Sequence, residues 1–209
     1  FTIKPSYSPQ LRLISCRVLG RLAPHLVRQH LHEIISKEVE KGLFYYYHFH
    51  TLEDSSLKEN LNLLKSTLLS GFHNTIDFLI QLLGITGSVE DSEVLLRSLK
   101  SVYSKVHSQA IETLEKSCDP KIFQLLEILL DLHPNLEKLK SITSQELTSQ
   151  GTFEILQVLS SSPLVVDRVT AATITSSLKL PQWKESLKNN MIESEEVYYQ
   201  FGYEILNYE

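Results

Sequence analysis

The sequence predicts an all-α fold in which antiparallel helix pairs stack in series, and three observations favour it. Gly and Pro number seven each among 209 residues, too few for the frequent turns of a β protein. Apolar residues recur every three to five positions along most of the chain, which is the period of helices that bury one face. Short turn-forming stretches such as 160–163 separate these segments. A compact helical bundle is the alternative architecture.

The chain opens with a predicted linker over residues 1–8. Ser8 is a plausible helix N-cap and Pro9 suits the first helical position, so the first helix should begin there and end at the Ala23-Pro24 break. We expect its core face to be formed by the apolar residues of this segment, which are Leu11, Ile14, Cys16, Val18, Leu19 and Leu22.

A long hairpin is predicted over residues 24–83. Two apolar-periodic segments, 24–52 and 56–83, are joined only by Glu53-Asp54-Ser55, and helices linked by so short a turn pack antiparallel. The aromatic run at 44–49 has β-propensity, but it continues the helical period and is therefore predicted to be helical.

Shorter elements follow the hairpin. The domain organisation that we predict places helical repeats over 9–135, a loose connection rich in Ser, Thr and Gln over 136–150, and C-terminal helical repeats over 151–209. If the chain has two lobes, their boundary lies in the connection. The predicted short helices span 90–99, 103–117, 120–132, 152–161, 164–178, 182–191 and 194–207.

Three segments share a loose pattern, in which an apolar residue and Arg or His precede a small residue and then Leu or Ile. They are Leu11-Arg12…Ser15…Leu19, Val106-His107…Ala110…Leu114 and Asp167-Arg168…Ala171…Ile174, and the third departs by placing Asp167 at the apolar position. The small residue would let a packed helix approach closely. The pattern resembles HEAT repeats, which implies an α-solenoid of stacked helix pairs.

A more specific resemblance is to the HEAT-like region that follows the membrane transporter in bacterial proteins of the nucleotide transporter (ATP/ADP translocase) superfamily. The matching stretches are 31–40, 68–83, 110–115 and 122–130. This resemblance implies a cytoplasmic, non-catalytic region attached to a transporter. The chain begins with Phe1 and its only methionine is Met191, so we expect it to be a piece of a longer protein.

Composition disfavours several function classes. The net charge is −5, and 20 basic residues are mixed with 25 acidic ones, so a nucleic-acid partner is not expected. No stretch approaches the roughly 18 uncharged apolar residues of a bilayer span. Cys16 and Cys118 lie in apolar helical contexts, which favours two small buried side chains in a reducing compartment over a disulfide.

No metal, cofactor or catalytic site is expected. His30 with His32, and His48 with His50, are two positions apart, which places each pair about 200° apart around a helix. Such pairs cannot share a metal ion unless the segment is a strand. No Gly-x-Ser-x-Gly motif occurs, and the glycines of 84–88 are too sparse for a phosphate-binding loop.

The sequence therefore predicts a non-catalytic scaffold or regulatory domain that binds a protein partner or the rest of its own chain. Aromatic residues are the candidate contacts, although burial between neighbouring helices would also explain them. They are Tyr45, Tyr47, Phe49, Tyr198, Tyr199, Phe201 and Tyr203. The alternative is a ligand-sensing module that binds a nucleotide or small anion between helices. Its candidate contacts are Arg12, Arg17, Arg21 and Arg28, which could equally form a solvated face.

Overall fold

A computed structural model of the chain describes residues 7–52, 60–131, 151–178 and 184–185. All regular structure in these ranges is helical, so the predicted all-α class is confirmed. The helices with assigned bounds in these ranges are α1 Pro9–Leu22, α2 Pro24–Thr51, α3 Asn60–Thr86, α4 Ser92–Leu99, α5 Ser104–Ser117, α6 Pro120–Leu130, α7 Thr152–Ser160 and α8 Val165–Leu178.

The helix starts follow from local chemistry that the sequence displays. The Ser8 hydroxyl accepts the Leu11 amide at 3.4 Å, and Pro9 needs no amide partner at the first helical position. Asp119 caps α6 in the same way ahead of Pro120, because its carboxylate accepts the Lys121 amide at 2.9 Å. Helical geometry over 45–50 excludes a strand there, as predicted.

The end of α3 lies three residues beyond its predicted position. Gly87 has a φ of 75°, a left-handed conformation that glycine adopts readily and that ends many helices. Its amide bonds back to the Gly84 carbonyl, and the Ser88 amide bonds to the Leu83 carbonyl. These two bonds satisfy carbonyls that the helix end would otherwise leave exposed.

Several predicted segments lie outside the described residues. They are the linker up to residue 6, the turn at 53–55, the connection at 136–150, and the helices at 182–191 and 194–207, except that residues 184 and 185 are helical.

The chain divides into two compact units. The first comprises Phe1–Phe44 with Phe72–Glu146, and the second comprises Tyr45–Gly71 with Leu147–Glu209.

In the first unit, α1 lies against both long helices. The Arg12 side chain contacts Glu38 of α2 and the Phe78 ring of α3. Arg12 brings Glu38 of α2 and Phe78 of α3 together, and Gly42 of α2 lies against Thr75 of α3, so residue numbers rise along one helix as they fall along the other. The two helices are therefore antiparallel in this unit. Helix α4 packs against α5, and α5 packs against α6. The buried core includes Cys16, Ile35, Leu79, Leu82, Leu83 and Leu114.

In the second unit, α7 and α8 pack against each other and contribute to the core. Fully buried apolar residues from both helices and from the start of α3 form that core. Buried side chains also form hydrogen bonds within it. The Thr67 and Thr170 hydroxyls lie 2.9 Å apart. The core residues include Leu64, Leu68, Ile155, Leu156, Leu159, Ala171, Ala172 and Ile174.

Helix α3 is long and apolar enough to cross a membrane by length and composition, although half of its most apolar window is buried. Core helices of water-soluble proteins share these properties, so the observation alone does not assign a membrane role.

Candidate functional site

The outward side of α1 carries a continuous row of exposed apolar side chains. Leu11, Ile14, Val18 and Leu22 are 40%, 56%, 50% and 79% exposed. Their spacings of three, four and four residues align them along one side of the helix. We call these four residues the α1 stripe. Large apolar side chains that form a contiguous exposed patch are typical of interaction sites.

The α1 stripe corrects the predicted orientation of this helix. Four of the six residues assigned to its core face point away from the core, whereas Leu13 and Cys16 on the opposite side are buried. Helix α1 has two apolar sides, and periodicity alone does not tell which one a neighbour covers. Burial of Arg12 beside Leu13 settles the orientation, because Arg12 pairs with Glu38 inside the first unit.

Basic side chains border the α1 stripe. Arg17 and Arg21 are exposed, and helical geometry places both along one edge of the stripe. Residues 1–32 contain five basic residues and no acidic one, although the whole chain has a net charge of −5. The Arg17 guanidinium donates to the Gln81 amide oxygen at 3.4 Å, a long contact that leaves its charge uncompensated. The surface around the stripe is therefore locally positive.

The four arginines predicted to contact an anion do not form one site. Arg12 is 1% exposed, pairs with the Glu38 carboxylate and lies 4.3 Å from the centre of the Phe78 ring. Its charge is matched within the core by Glu38, and the described surface does not present it to an anion. Arg17 and Arg21 lie on the exposed side of α1.

Arg28 lines a different feature, a surface pocket of about 250 Å³ beside Gly20 and the end of α3. The segment 84–87 forms one wall of this pocket. It belongs to the C-terminal end of a helix, where carbonyl oxygens and the negative end of the helix dipole disfavour an anion. The other wall includes Pro24, Val27 and Arg28 in the first turns of α2, so the ends of the two helices have opposite electrostatic effects at this pocket.

Two of the aromatic residues predicted to contact a partner are buried. Tyr45 and Tyr47 are each 1% exposed, so the described surface does not present them to a partner. Burial by neighbouring helices, the alternative explanation, accounts for both. Phe49 is half-buried. Tyr198, Tyr199, Phe201 and Tyr203 lie outside the described residues.

Tyr45 belongs to a buried polar cluster of the second unit. Its hydroxyl donates to an Asp167 carboxylate oxygen, which also accepts the Ser162 hydroxyl. Arg168 donates to the Ser162 carbonyl. Asp167 and Arg168 are almost fully buried. The cluster joins α2 to α8 within the unit.

The repeat pattern acquires a structural meaning, because its Arg or His position is buried in all three copies. Arg12, His107 and Arg168 are 1%, 5% and 1% exposed. The small residues of the second and third copies, Ala110 and Ala171, are also buried. In the third copy Asp167 is buried, whereas Leu11 and Val106 at the matching position are exposed. The residue at which the third copy departs from the pattern, Asp167, is therefore the one that accepts the Tyr45 hydrogen bond.

A larger pocket of about 430 Å³ lies in the first unit among α3, α5, the end of α6 and the turn after α4. Its apolar lining consists of Phe72, Ile76, Leu99, Leu129 and Leu130. The polar groups at the pocket come from His73, Lys100, Ser101 and His107. Sequence reasoning did not find this site, since its residues come from four elements and share no motif.

The described histidines and cysteines do not assemble a metal site. No group of three His, Cys, Asp or Glu side chains within the described ranges is placed to hold an ion. His48 is buried and burial lowers its pKa to about 4, whereas His50 is exposed. Cys16 and Cys118 are buried as predicted, and burial raises the pKa of both thiols, that of Cys118 to about 11.

Comparison of the chain with protein-family models, with curated proteins and with solved structures finds no match.

Proposed function

We propose that this chain is a non-catalytic interaction module whose α1 stripe docks an amphipathic helix of a protein partner that carries acidic residues beside its apolar face. The observation that carries the proposal is the row Leu11, Ile14, Val18 and Leu22, which remains exposed although the opposite side of the same helix is packed.

Apolar complementarity would supply most of the affinity. Burying a large aliphatic side chain contributes about 1.5–3 kcal/mol, so the side chains of the stripe offer a substantial driving force before the costs of association. Their spacing matches the i, i+3, i+7 pattern by which helices dock against apolar surfaces.

Charge selects the kind of partner. Arg17 and Arg21 border the stripe, and no acidic residue occurs before Glu33. A partner helix with Glu or Asp beside its apolar face would gain attraction and faster association. A second copy of this chain fits less well, because the same face would bring arginines near arginines.

The proposal can be tested with two model helical peptides that share one leucine face. One carries Glu and the other Lys at the flanking positions. We expect the Glu peptide to bind at least ten-fold more tightly, and its advantage to shrink as salt screens the charges. Fluorescence anisotropy of labelled peptides measures both affinities.

Two variants with matched exposure localise the binding. Val18→Asp places a charge in the stripe, whereas Val94→Asp makes the same change at a similarly exposed position of α4. We expect the first variant to abolish binding of the Glu peptide and the second to retain it, with unchanged circular dichroism in both. Equal binding by the two variants contradicts the proposal.

Anionic phospholipid vesicles provide the third arm of the experiment. A basic amphipathic helix can also lie on a membrane surface. If vesicles bind the chain through Val18 while neither peptide does, the partner is a lipid surface and the proposed protein partner is wrong.

We further propose that the helix pairs form a HEAT-like stack. The support is the shared burial of Arg12, His107 and Arg168, because a side chain at a repeated position is buried when each helix packs against its neighbours in the same way. The resemblance to the transporter-linked HEAT-like region remains a prediction.

A further inference from the structure

We propose that the 430 Å³ pocket of the first unit binds a small, mainly apolar monocarboxylate, with the carboxylate at Lys100 and His107. This site is separate from the α1 stripe and does not depend on the function proposed for it. The volume is within the range of about 300–1,000 Å³ that small-molecule sites occupy.

The pocket offers an apolar wall for the ligand body. Phe72, Leu99, Leu129 and Leu130 line it, and each is more than nine-tenths buried within the protein. The exposed lining is more apolar than polar. A hydrocarbon chain or ring that moves from water into the pocket would therefore contact an apolar surface, which is favourable.

His107 supplies a hydrogen-bond donor at the pocket. The residue is 5% exposed and lines the pocket, yet the structure records no hydrogen bond to its ring from any described residue. An imidazole always has an N–H to donate, and a ligand oxygen in the pocket would accept it.

Lys100 supplies the charge. Its ammonium lies 2.7 Å from each Asp77 carboxylate oxygen, and the side chain is half exposed at the pocket. An ammonium has three donors, so a second carboxylate can be accommodated beside Asp77. One positive charge that is already shared suits a single carboxylate and not a polyphosphate, which needs several cations.

Octanoate is a suitable probe, with octanol and octylamine as controls that keep the chain and change the head group. We expect octanoate to raise the Tm by mass action and to bind at least ten-fold more tightly than octylamine, which Lys100 repels. Isothermal titration calorimetry measures the affinities directly.

Variants at the pocket separate the contributions of its two polar groups. We expect Lys100→Met and His107→Leu each to weaken octanoate binding at least ten-fold, and Lys105→Met, at an exposed position of α5, to leave it unchanged. Asp77→Asn should tighten binding several-fold, because it removes the competing carboxylate from Lys100. A merely structural role for the Lys100–Asp77 pair would not give these opposite effects.

Filling the pocket tests its location. Ile76→Trp adds bulk at a half-buried lining position and should abolish octanoate binding, whereas Val18→Asp in the α1 stripe should not affect it. The inference is overturned if octanoate fails to bind, if octylamine binds equally well, or if the Lys100 and Ile76 variants bind like the unaltered chain.

Discussion

At the scale of single residues, His48 makes the second unit sensitive to acid. The side chain is 1% exposed, and burial lowers its pKa to about 4 from the ordinary value of about 6.5. The folded state therefore holds the neutral ring, whereas the unfolded chain takes up a proton near pH 6.5. The stability that this contributes is fully present above pH 6.5 and is lost as the pH falls towards 4.

We predict that His48→Phe reduces the loss of stability between pH 6.5 and 4. The full effect is on the order of 3 kcal/mol at the acidic end, since the shift spans about two and a half pKa units. Urea unfolding at both pH values measures it. His30→Gln, at an exposed position, is the control and should unfold with the pH dependence of the unaltered chain. Identical pH dependence in His48→Phe contradicts the prediction.

The buried Arg12–Glu38 pair is a second residue-scale feature with a definite consequence. Both side chains are 1% exposed, and each compensates the charge of the other within the core. Arg12→Met alone should destabilise the chain by about 3–5 kcal/mol, because it leaves the buried Glu38 carboxylate without Arg12, and Lys41 lies farther away, at 3.9 Å. Replacing both residues by Met should recover most of that loss.

A double-mutant cycle by chemical denaturation checks this prediction. Lys116→Met breaks the exposed pair with Glu112, whose atoms lie 2.6 Å apart, and serves as the control. Its effect should be small, since solvent screens exposed pairs. A double variant no more stable than Arg12→Met would show that the pair does not account for the loss.

Residue-scale predictions from sequence succeeded where local chemistry decides and failed where distant partners decide. The caps at Ser8 and Asp119 depend only on their neighbours in sequence, and both are present. The burial of Tyr45 depends on Asp167, more than a hundred residues away. The residue type shows that Tyr45 is amphipathic, but the sequence does not show which residues bury its side chain.

At the scale of helices, α2 and α3 approach each other closely at one point in the second unit, where Gly71 has no side chain to separate them. A Cβ added to Gly71 of α3 would lie 2.5 Å from the Tyr45 ring of α2. Real Cβ atoms do not approach so closely, so the ring or a helix would have to move. Any such shift also disturbs the hydrogen bond between Tyr45 and Asp167.

We therefore predict that Gly71→Ala destabilises the chain by about 1–3 kcal/mol, despite the better helix propensity of Ala. Gly20→Ala is the matched change in α1, where the added Cβ would lie 3.3 Å from the Ile85 side chain. That variant should be near neutral or slightly stabilising. Thermal unfolding distinguishes the two, and a Gly71→Ala variant as stable as Gly20→Ala contradicts the close approach described above.

The sequence predicted the bounds of helix α1 but not which of its sides faces the core. Its bounds follow from Pro9 and from the Ala23-Pro24 break, and they were predicted. Its orientation was not, because residues on two opposite sides of the helix are apolar. The local charge distribution was the missed signal: a stretch of 32 residues without Asp or Glu marks a surface that is unusual for an acidic chain.

At the scale of the whole molecule, the fold class was predictable and the candidate sites were not. The scarcity of Gly and Pro and the helical period of the apolar residues identify an all-α chain, because both features can be seen within each segment without knowing its neighbours in space. The 430 Å³ pocket requires four elements to meet, and no spacing in the sequence encodes that meeting. Assigning a function to this chain therefore depends on surfaces that exist only after folding.

Each of the two compact units is assembled from separated stretches of chain, and this has a consequence for dissection. No single cut yields either unit whole, because residues 45–71 belong with the C-terminal stretch although they lie within the long helices. Shortening the protein after residue 146 would deprive Tyr45 of Asp167 and Thr67 of Thr170. The stretch at 136–150 that looks like a natural place to divide the gene is therefore a poor one, and separate halves would need new links, from residue 44 to residue 72 in one and from residue 71 to residue 147 in the other.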